Sequence, residues 1–173
     1  MVNPTHNRVQ ALKDKASNVK LLLTDCDGVL TDGGVYYGAT GEVMKRFFIR
    51  DGMGAERLKK LIGVETGIVT GELSESVKRR AEKLGIEELH LGVKVKLPKV
   101  AEIAQRRGLN LSEIAYIGDD VNDLEVLRAV GLSACPGDAM PEVKDICDFI
   151  CHKPGGQGAF RELAEWIISE RKN

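Results

Sequence analysis

Residues 20–28 read KLLLTDCDG: an apolar run, Leu21 to Leu23, ends at Thr24 against two aspartates one residue apart, Asp25 and Asp27, followed by Gly28. An apolar run this short, bounded by turn formers, is a buried strand; a helix would need ten or more residues. Such strands belong to parallel sheets covered by helices, and ligands bind there beyond the carboxyl ends of the strands. The two carboxylates stand at that end.

Outward from this stretch, the chain alternates between the two periodicities. A weakly amphipathic helix is expected over 5–17. After Asp25 a glycine-rich, tyrosine-containing segment reads as a hairpin whose return strand is EVMKRFFI (42–49). Helical spacing follows at 52–62, and VETGIVT (64–70) is a second buried strand. A helix over 74–84 starts at a capping serine and stops at Gly85. A short strand, ELHLGV (88–93), then leads to a helix over 97–107 closed by Gly108. Strand 114–118, helix 122–130, strand LSACP (132–136), a flexible KPGGQG stretch (153–158) and a last helix over 158–171 complete the chain. Strands alternating with helices predict an α/β fold, a parallel sheet with helices on both faces. No repeat or linker interrupts it, so residues 1–173 are expected to form a single domain.

Composition excludes several function classes. The 25 basic and 26 acidic residues leave a formal charge of -1, without the basic surplus of nucleic-acid binders. Cys26, Cys135, Cys147 and Cys151 have no CxxC spacing, which argues against a zinc site and suits a reducing cytoplasm. The N-terminus is polar where a signal peptide needs an apolar run, and no segment approaches the roughly 20 apolar residues of a membrane span. A cytoplasmic protein is expected, with neither nucleic acid nor membrane as partner.

Polar clusters fall at all four expected strand ends. At the first, one aspartate can attack phosphorus while the other protonates the leaving oxygen and then deprotonates water. At the second, Thr70-Gly71 offers a hydroxyl and backbone N–H groups to phosphoryl oxygens, although such a pair is more often a plain turn. At the third, the Lys96 ammonium can neutralise a transferred phosphoryl group; singly, it would read as a surface lysine. The fourth, Gly118-Asp119-Asp120-Val121-Asn122-Asp123, supplies hard oxygen ligands suited to Mg²⁺. A helix cap accounts for Asp123 but hardly for all three aspartates. Together these parts are what phosphoryl transfer to a carboxylate requires.

DCDGVLTDGG, IVTGE, Lys96 and YIGDDVND, in this order, resemble the four motifs of the haloacid dehalogenase superfamily. The resemblance implies a Rossmann-like sheet, Asp25 as nucleophile and Asp27 as acid/base. It also implies Mg²⁺ held by the Asp25 carboxylate, the Asp27 carbonyl and Asp119, with Thr70 and Lys96 on the phosphoryl group. A closer resemblance, carried by DGVLTDGG, GEVMKRF, RDGMG, RRAEKLGI, AYIGDDVND and GGQGAFRE, is to the 3-deoxy-octulosonate 8-phosphate phosphatases and their nonulosonate 9-phosphate relatives. These are small members with a β-hairpin insert, here about 30–49, in place of a cap domain. The resemblance implies a homotetramer in which hairpins associate and a neighbour's C-terminal tail, here about 153–173 with Gly155 to Gly158 and Arg161, closes the site. It places Arg50, Asp51, Gly52 and Arg80 on the substrate.

Several positions depart from the octulosonate pattern. Glu72 stands where arginine is usual, with Lys83 farther along the next helix, an arrangement resembling the nonulosonate members and making Glu72 and Lys83 substrate-binding candidates. Phe48, Glu56 and Val95 also differ, in ways that touch the sugar and not the phosphate chemistry. The resemblance therefore implies a phosphomonoesterase acting on 3-deoxy-D-manno-octulosonate 8-phosphate, on the route to a lipopolysaccharide sugar precursor. The alternatives are a nonulosonate 9-phosphate phosphatase and a catalytically silent assembly module. A phosphomutase would need a cap that this chain is too short to hold.

Overall fold

A computed structural model of the chain describes residues 4–172. Helix α1 (Pro4–Asn18) leads into β1 (Leu21–Thr24), and a hairpin of β2 (Thr31–Gly38) and β3 (Gly41–Phe47) follows. Then come α2 (Ile49–Ile62), β4 (Glu65–Val69), α3 (Glu75–Leu84), β5 (Glu88–His90), α4 (Lys96–Arg107) and β6 (Ile114–Ile117). A turn of 3-10 helix (Val121–Asp123) opens α5 (Leu124–Ala129), after which β7 (Leu132–Cys135), α6 (Pro141–Lys144), β8 (Phe149–Ile150) and α7 (Ala159–Lys172) close the fold.

Six parallel strands lie in the order β5-β4-β1-β6-β7-β8. The chain builds outward from β1 through β4 to β5, then returns to β6 on the other side of β1. That reversal makes β1 the switch point, and a crevice opens beyond the carboxyl ends of β1, β4 and β6. Alternation along β1 is why both faces need helices. Leu22 packs into one core with Ala16 of α1, Leu58 of α2 and Phe160, Leu163 and Ile167 of α7. Leu21 and Leu23 point the other way, toward Val100 and Ile103 of α4, Tyr116 and Val126. The expected sheet is present with helices on both faces, and among the described residues no helix is long and apolar enough to cross a membrane.

The boundaries differ from expectation where tertiary contacts outweigh local pattern. Helix α2 starts at Ile49, three residues before Gly52, with Phe48 as a cap that has no side-chain hydrogen bond. Its first turn is held instead by Arg161 N–H, which donates to the Asp51 carboxylate at 2.9 Å. Neither α6 nor β8 was legible: a four-residue helix and a two-residue strand carry no period, and β8 exists because it pairs with Ala134 and Cys135 of β7. The 153–158 stretch, expected to be flexible, is pinned to its own chain. Gly156 N–H donates to Val29 C=O at 2.9 Å, and Gly155 N–H to Asp138 at 2.8 Å. A side chain at 155 or 156 would collide with the backbone of Gly28 or Asp32, which explains both glycines.

Candidate active site

Four chain segments bring their polar ends to the crevice, and the first is fixed by backbone hydrogen bonds. Asp25 N–H donates to Ile117 C=O at 2.9 Å, while the Cys26 carbonyl accepts from the amides of Val29, Leu30 and Thr31. This tight loop delivers the chain into the hairpin. The Asp25 carboxylate is buried; its Oδ1 accepts the Cys26 N–H at 2.7 Å and its Oδ2 lies 2.8 Å from Lys96 Nζ.

Lys96 opens α4 and is 2% exposed. Its ammonium also lies 2.6 Å from Asp123 Oδ1. Burial alone would depress the lysine, but Asp25 and Asp123 outweigh it and hold Lys96 above its ordinary pKa, as a cation. Asp123 is fully buried and fully used. Its Oδ1 also accepts the Tyr116 hydroxyl at 2.9 Å, and its Oδ2 accepts the Asp119 N–H at 3.1 Å.

Asp119 follows β6, and one carboxylate oxygen from each of Asp25, Asp119 and Asp123 lies within 4.8 Å of the other two. Crowding shows in their proton affinities. Burial first, then the charges of Asp25 and Asp123, push Asp119 up to about 8. Asp25 is pushed up to about 6 by burial and by Asp123, against the opposing pull of Lys96. Three carboxylates facing one ammonium leave an uncompensated negative charge, which fits a hard divalent cation with oxygen ligands. Among the described residues no donor reaches the Asp119 carboxylate, and each Asp25 oxygen has a single partner and a lone pair left for such an ion, whereas Asp123 already takes three donors, two of them on Oδ1.

The mouth is a cleft of about 300 Å³ lined by Asp25, Asp27, Thr70, Glu72, Asp119 and Asn122 among others. Thr70 is buried at the end of β4, and its backbone is tied to His90 and Val93. Glu72 stands at the rim in an exposed ion pair with Lys94, 2.9 Å away. The structure thus gathers Asp25, Asp27, Thr70, Lys96, Asp119 and Glu72 at one place.

The other expected substrate contacts lie elsewhere in the single chain. Arg50 borders a separate cleft with Lys153 and Arg161. Asp51 is buried with its Oδ2 unpartnered, and burial pushes it up to about 6. Gly52 is covered by Arg80 and Leu84, and Arg80 donates to Phe48 C=O at 3.4 Å. Lys83 lines a groove with Gly52, Lys59 and Lys60, because α3 carries it away from the mouth toward the amino end of β5. Two residues with close roles at the site were not identified from the sequence. Asp123 read as a helix cap, and Lys45 reads as one polar residue in a hairpin strand, with no period-two signal for burial.

Gly28 shows how tightly the site is built. Its φ is +80°, and a Cβ there would stand 2.0 Å from Asp119 Oδ2. Gly28→Ala is therefore expected to displace Asp119, weakening divalent-ion binding by at least about tenfold, the loss typical when support around a ligand is disturbed. Calorimetric titration with the metal would check it, and an unchanged affinity would contradict the contact.

Known proteins carry the same architecture. Residues 94–163 match the model of haloacid dehalogenase-like hydrolases. The 3-deoxy-D-manno-octulosonate 8-phosphate phosphatase of Salmonella typhi is 38% identical over 89% of this chain and 81% of its own. The corresponding Haemophilus influenzae protein is 37% identical over 91% and 87%. Among solved structures, a haloacid dehalogenase superfamily hydrolase from Legionella pneumophila superposes with a TM-score of 0.92 at 35% identity, covering 97% of this chain and 92% of that one. The Moraxella catarrhalis octulosonate 8-phosphate phosphatase, solved with magnesium, phosphate and KDO, gives 0.89 at 37% identity, over 94% and 92%. With identity at this level spanning nine-tenths of the sequence, the chain belongs to the haloacid dehalogenase-like hydrolase family, in the group of the 3-deoxy-D-manno-octulosonate 8-phosphate phosphatases.

Proposed function

We propose that the chain is a Mg²⁺-dependent phosphatase that hydrolyses 3-deoxy-D-manno-octulosonate 8-phosphate to the free sugar acid and phosphate. The observation that carries this reading is the convergence of the Asp25, Asp119 and Asp123 carboxylates at the mouth of the sheet, with the Lys96 ammonium on two of them, Asp25 and Asp123. Asp25, Asp119 and the Asp27 carbonyl would hold Mg²⁺, which supplies charge neutralisation and Lewis acidity toward phosphoryl oxygens.

In this reading an Asp25 carboxylate oxygen attacks phosphorus, the bond from phosphorus to the sugar oxygen breaks, and Asp27 gives its proton to that leaving oxygen. Water then attacks the aspartyl-phosphate, Asp27 takes a proton from it, and Asp25 is released with inorganic phosphate. Lys96 offsets charge on the phosphoryl group and on the nucleophile. Thr70 and the amides beside it hold the phosphoryl oxygens, and Asp123 keeps Lys96 and the backbone of Asp119 in place. The chain works as one catalytic domain in the cytoplasm, supplying a lipopolysaccharide sugar precursor.

Glu72 is the sugar contact from the chain's own cleft. Arg50 and Arg80, which lie outside it, would meet substrate only across a contact between copies, as in a homotetramer whose hairpins associate. Asp51 then acts by holding the start of α2 to Arg161, and Gly52 by letting Arg80 and Leu84 of α3 pack close, while Lys83, in the groove beside them, would likewise meet substrate only between copies. Glu72 and its partner Lys94 favour a second substrate, a nonulosonate 9-phosphate, since its longer chain carries one more hydroxyl from which a carboxylate can accept a hydrogen bond.

The deciding assay compares both sugar phosphates with Mg²⁺ and with EDTA. Turnover of the octulosonate at least about tenfold better in kcat/KM, a difference of about 1.4 kcal/mol, and abolished by EDTA, is expected. Preference for the nonulosonate would move the substrate, and hydrolysis of neither would reject the sugar-acid reading.

A further inference from the structure

Strand β3 has its polarity reversed. Val43 and Met44 are exposed, while the Lys45 side chain is only 1% exposed. A buried ammonium needs partners, and Lys45 finds them at the site. Its Nζ lies 2.5 Å from Asp27 Oδ2 and 3.6 Å from Glu42 Oε2. Glu42 Oε1 in turn accepts the Ser74 hydroxyl at 2.5 Å, and Ser74 caps α3 by accepting the Val77 N–H at 3.3 Å. A continuous line of polar contacts thus runs from the loop after β1, through the hairpin, to the helix that begins four residues beyond Gly71.

This line constrains which oxygen of Asp27 is available. Oδ2 is taken by a charge-assisted hydrogen bond, the short and strong kind. Oδ1 has only the Thr31 hydroxyl, at a long 3.3 Å. The Asp27 side chain is one-quarter exposed, and among the described residues Lys45 and Thr31 are its hydrogen-bond partners.

We propose that Lys45 is the positioning residue for the acid/base step, clamping Asp27 through Oδ2 so that proton transfer to and from the reacting oxygen runs through Oδ1. The clamp is supplied by the hairpin, so the insert does more than cover the cleft: its closure sets the acid/base geometry. Glu42 and Ser74 hold Lys45 from behind and make that geometry depend on the start of α3. The inference rests on the proposed aspartyl-phosphate chemistry with Asp27 as acid/base.

The leaving group separates a positioning role from a merely structural one. An alkyl leaving oxygen, as in the sugar phosphates, needs a proton as its bond to phosphorus breaks, whereas 4-nitrophenolate leaves without one. Because the base step on water is common to both substrates, the comparison is made on the first step alone, in single-turnover release of the leaving group: Lys45→Met is expected to slow it by about 10²-fold for the octulosonate phosphate, within the usual range for general acid catalysis, and by less than about 5-fold for 4-nitrophenyl phosphate. Equal losses on both substrates, or none on the sugar phosphate, would overturn the proposal. Should Lys45→Met fail to fold, Lys45→Gln keeps a neutral donor and the same ratio decides: selective loss on the alkyl substrate supports the clamp and equal loss overturns it. Wild-type protein inactive on both phosphates would instead remove the phosphatase reading, so the two failures are distinguishable.

Discussion

Asn at position 25 is expected to abolish turnover while leaving the fold intact, with kcat down by about 10³-fold or more, or some 4 kcal/mol of transition-state stabilisation at about 1.4 kcal/mol per decade. An amide is a far poorer nucleophile than a carboxylate, so the covalent route closes. Folding should survive because Lys96 keeps its 2.6 Å partner Asp123, and because Asp25→Asn removes one of three crowded anions. Steady-state assay beside thermal unfolding reads both halves. Asp25→Asn turnover near wild type would reject the aspartyl-phosphate, and collapse of the fold would mean that Asp25 is structurally required.

The second large effect concerns Asp119 and pH. In the metal-free protein Asp119 holds its proton to about 8, against an ordinary value of 3.8. Between those values the folded state therefore binds more protons than the unfolded state, so stability is greatest below the ordinary value and falls as pH rises toward 8. Three consequences are expected. The metal-free protein loses Tm between pH 5 and 9. Mg²⁺ returns more Tm at the alkaline end than at the acid end, because it binds the ionised carboxylates. Asp119→Asn flattens the pH slope, raises the metal-free Tm at pH 8 by about 5 °C, worth roughly 2 kcal/mol for a chain of this size, and weakens Mg²⁺ binding by at least about 10-fold. Thermal scans across pH, with Mg²⁺ and with EDTA, check all three. An unaltered slope in Asp119→Asn would place the stored repulsion elsewhere.

The architecture was legible because its signals are local. KLLLT is too short for a helix and too apolar for a surface strand. Ser74, Gly85 and Gly108 mark helix ends that the structure reproduces as the N-cap of α3 and the C-caps of α3 and α4. Asp25, Thr70, Lys96 and Asp119 were legible for a related reason: each stands at or just beyond the end of a strand, and a parallel sheet aligns such ends.

Less could be read where an element exists only through its partner. Helix α2 gains its first turn from an Arg161 amide 110 positions away, and β8 is two residues long and depends on β7. The substrate candidates show the limit most plainly. Gly52 and Lys83 are substrate candidates through the family resemblance, and within the single chain the direction in which α2 and α3 run places them in a groove away from the mouth.

By itself the sequence determined a parallel sheet covered on both faces and a row of carboxylates, a hydroxyl and an ammonium at its carboxyl edge, because strand length and the spacing of polar residues after strands are properties of short segments. Only the tertiary structure decided that Asp123 is spent on Lys96, Tyr116 and Asp119, that Lys45 turns inward to grip Asp27, and that the GGQG stretch is seated on its own chain. Those facts depend on which distant groups meet in a low-dielectric interior, where a charge must find its partner, and no local pattern carries that information.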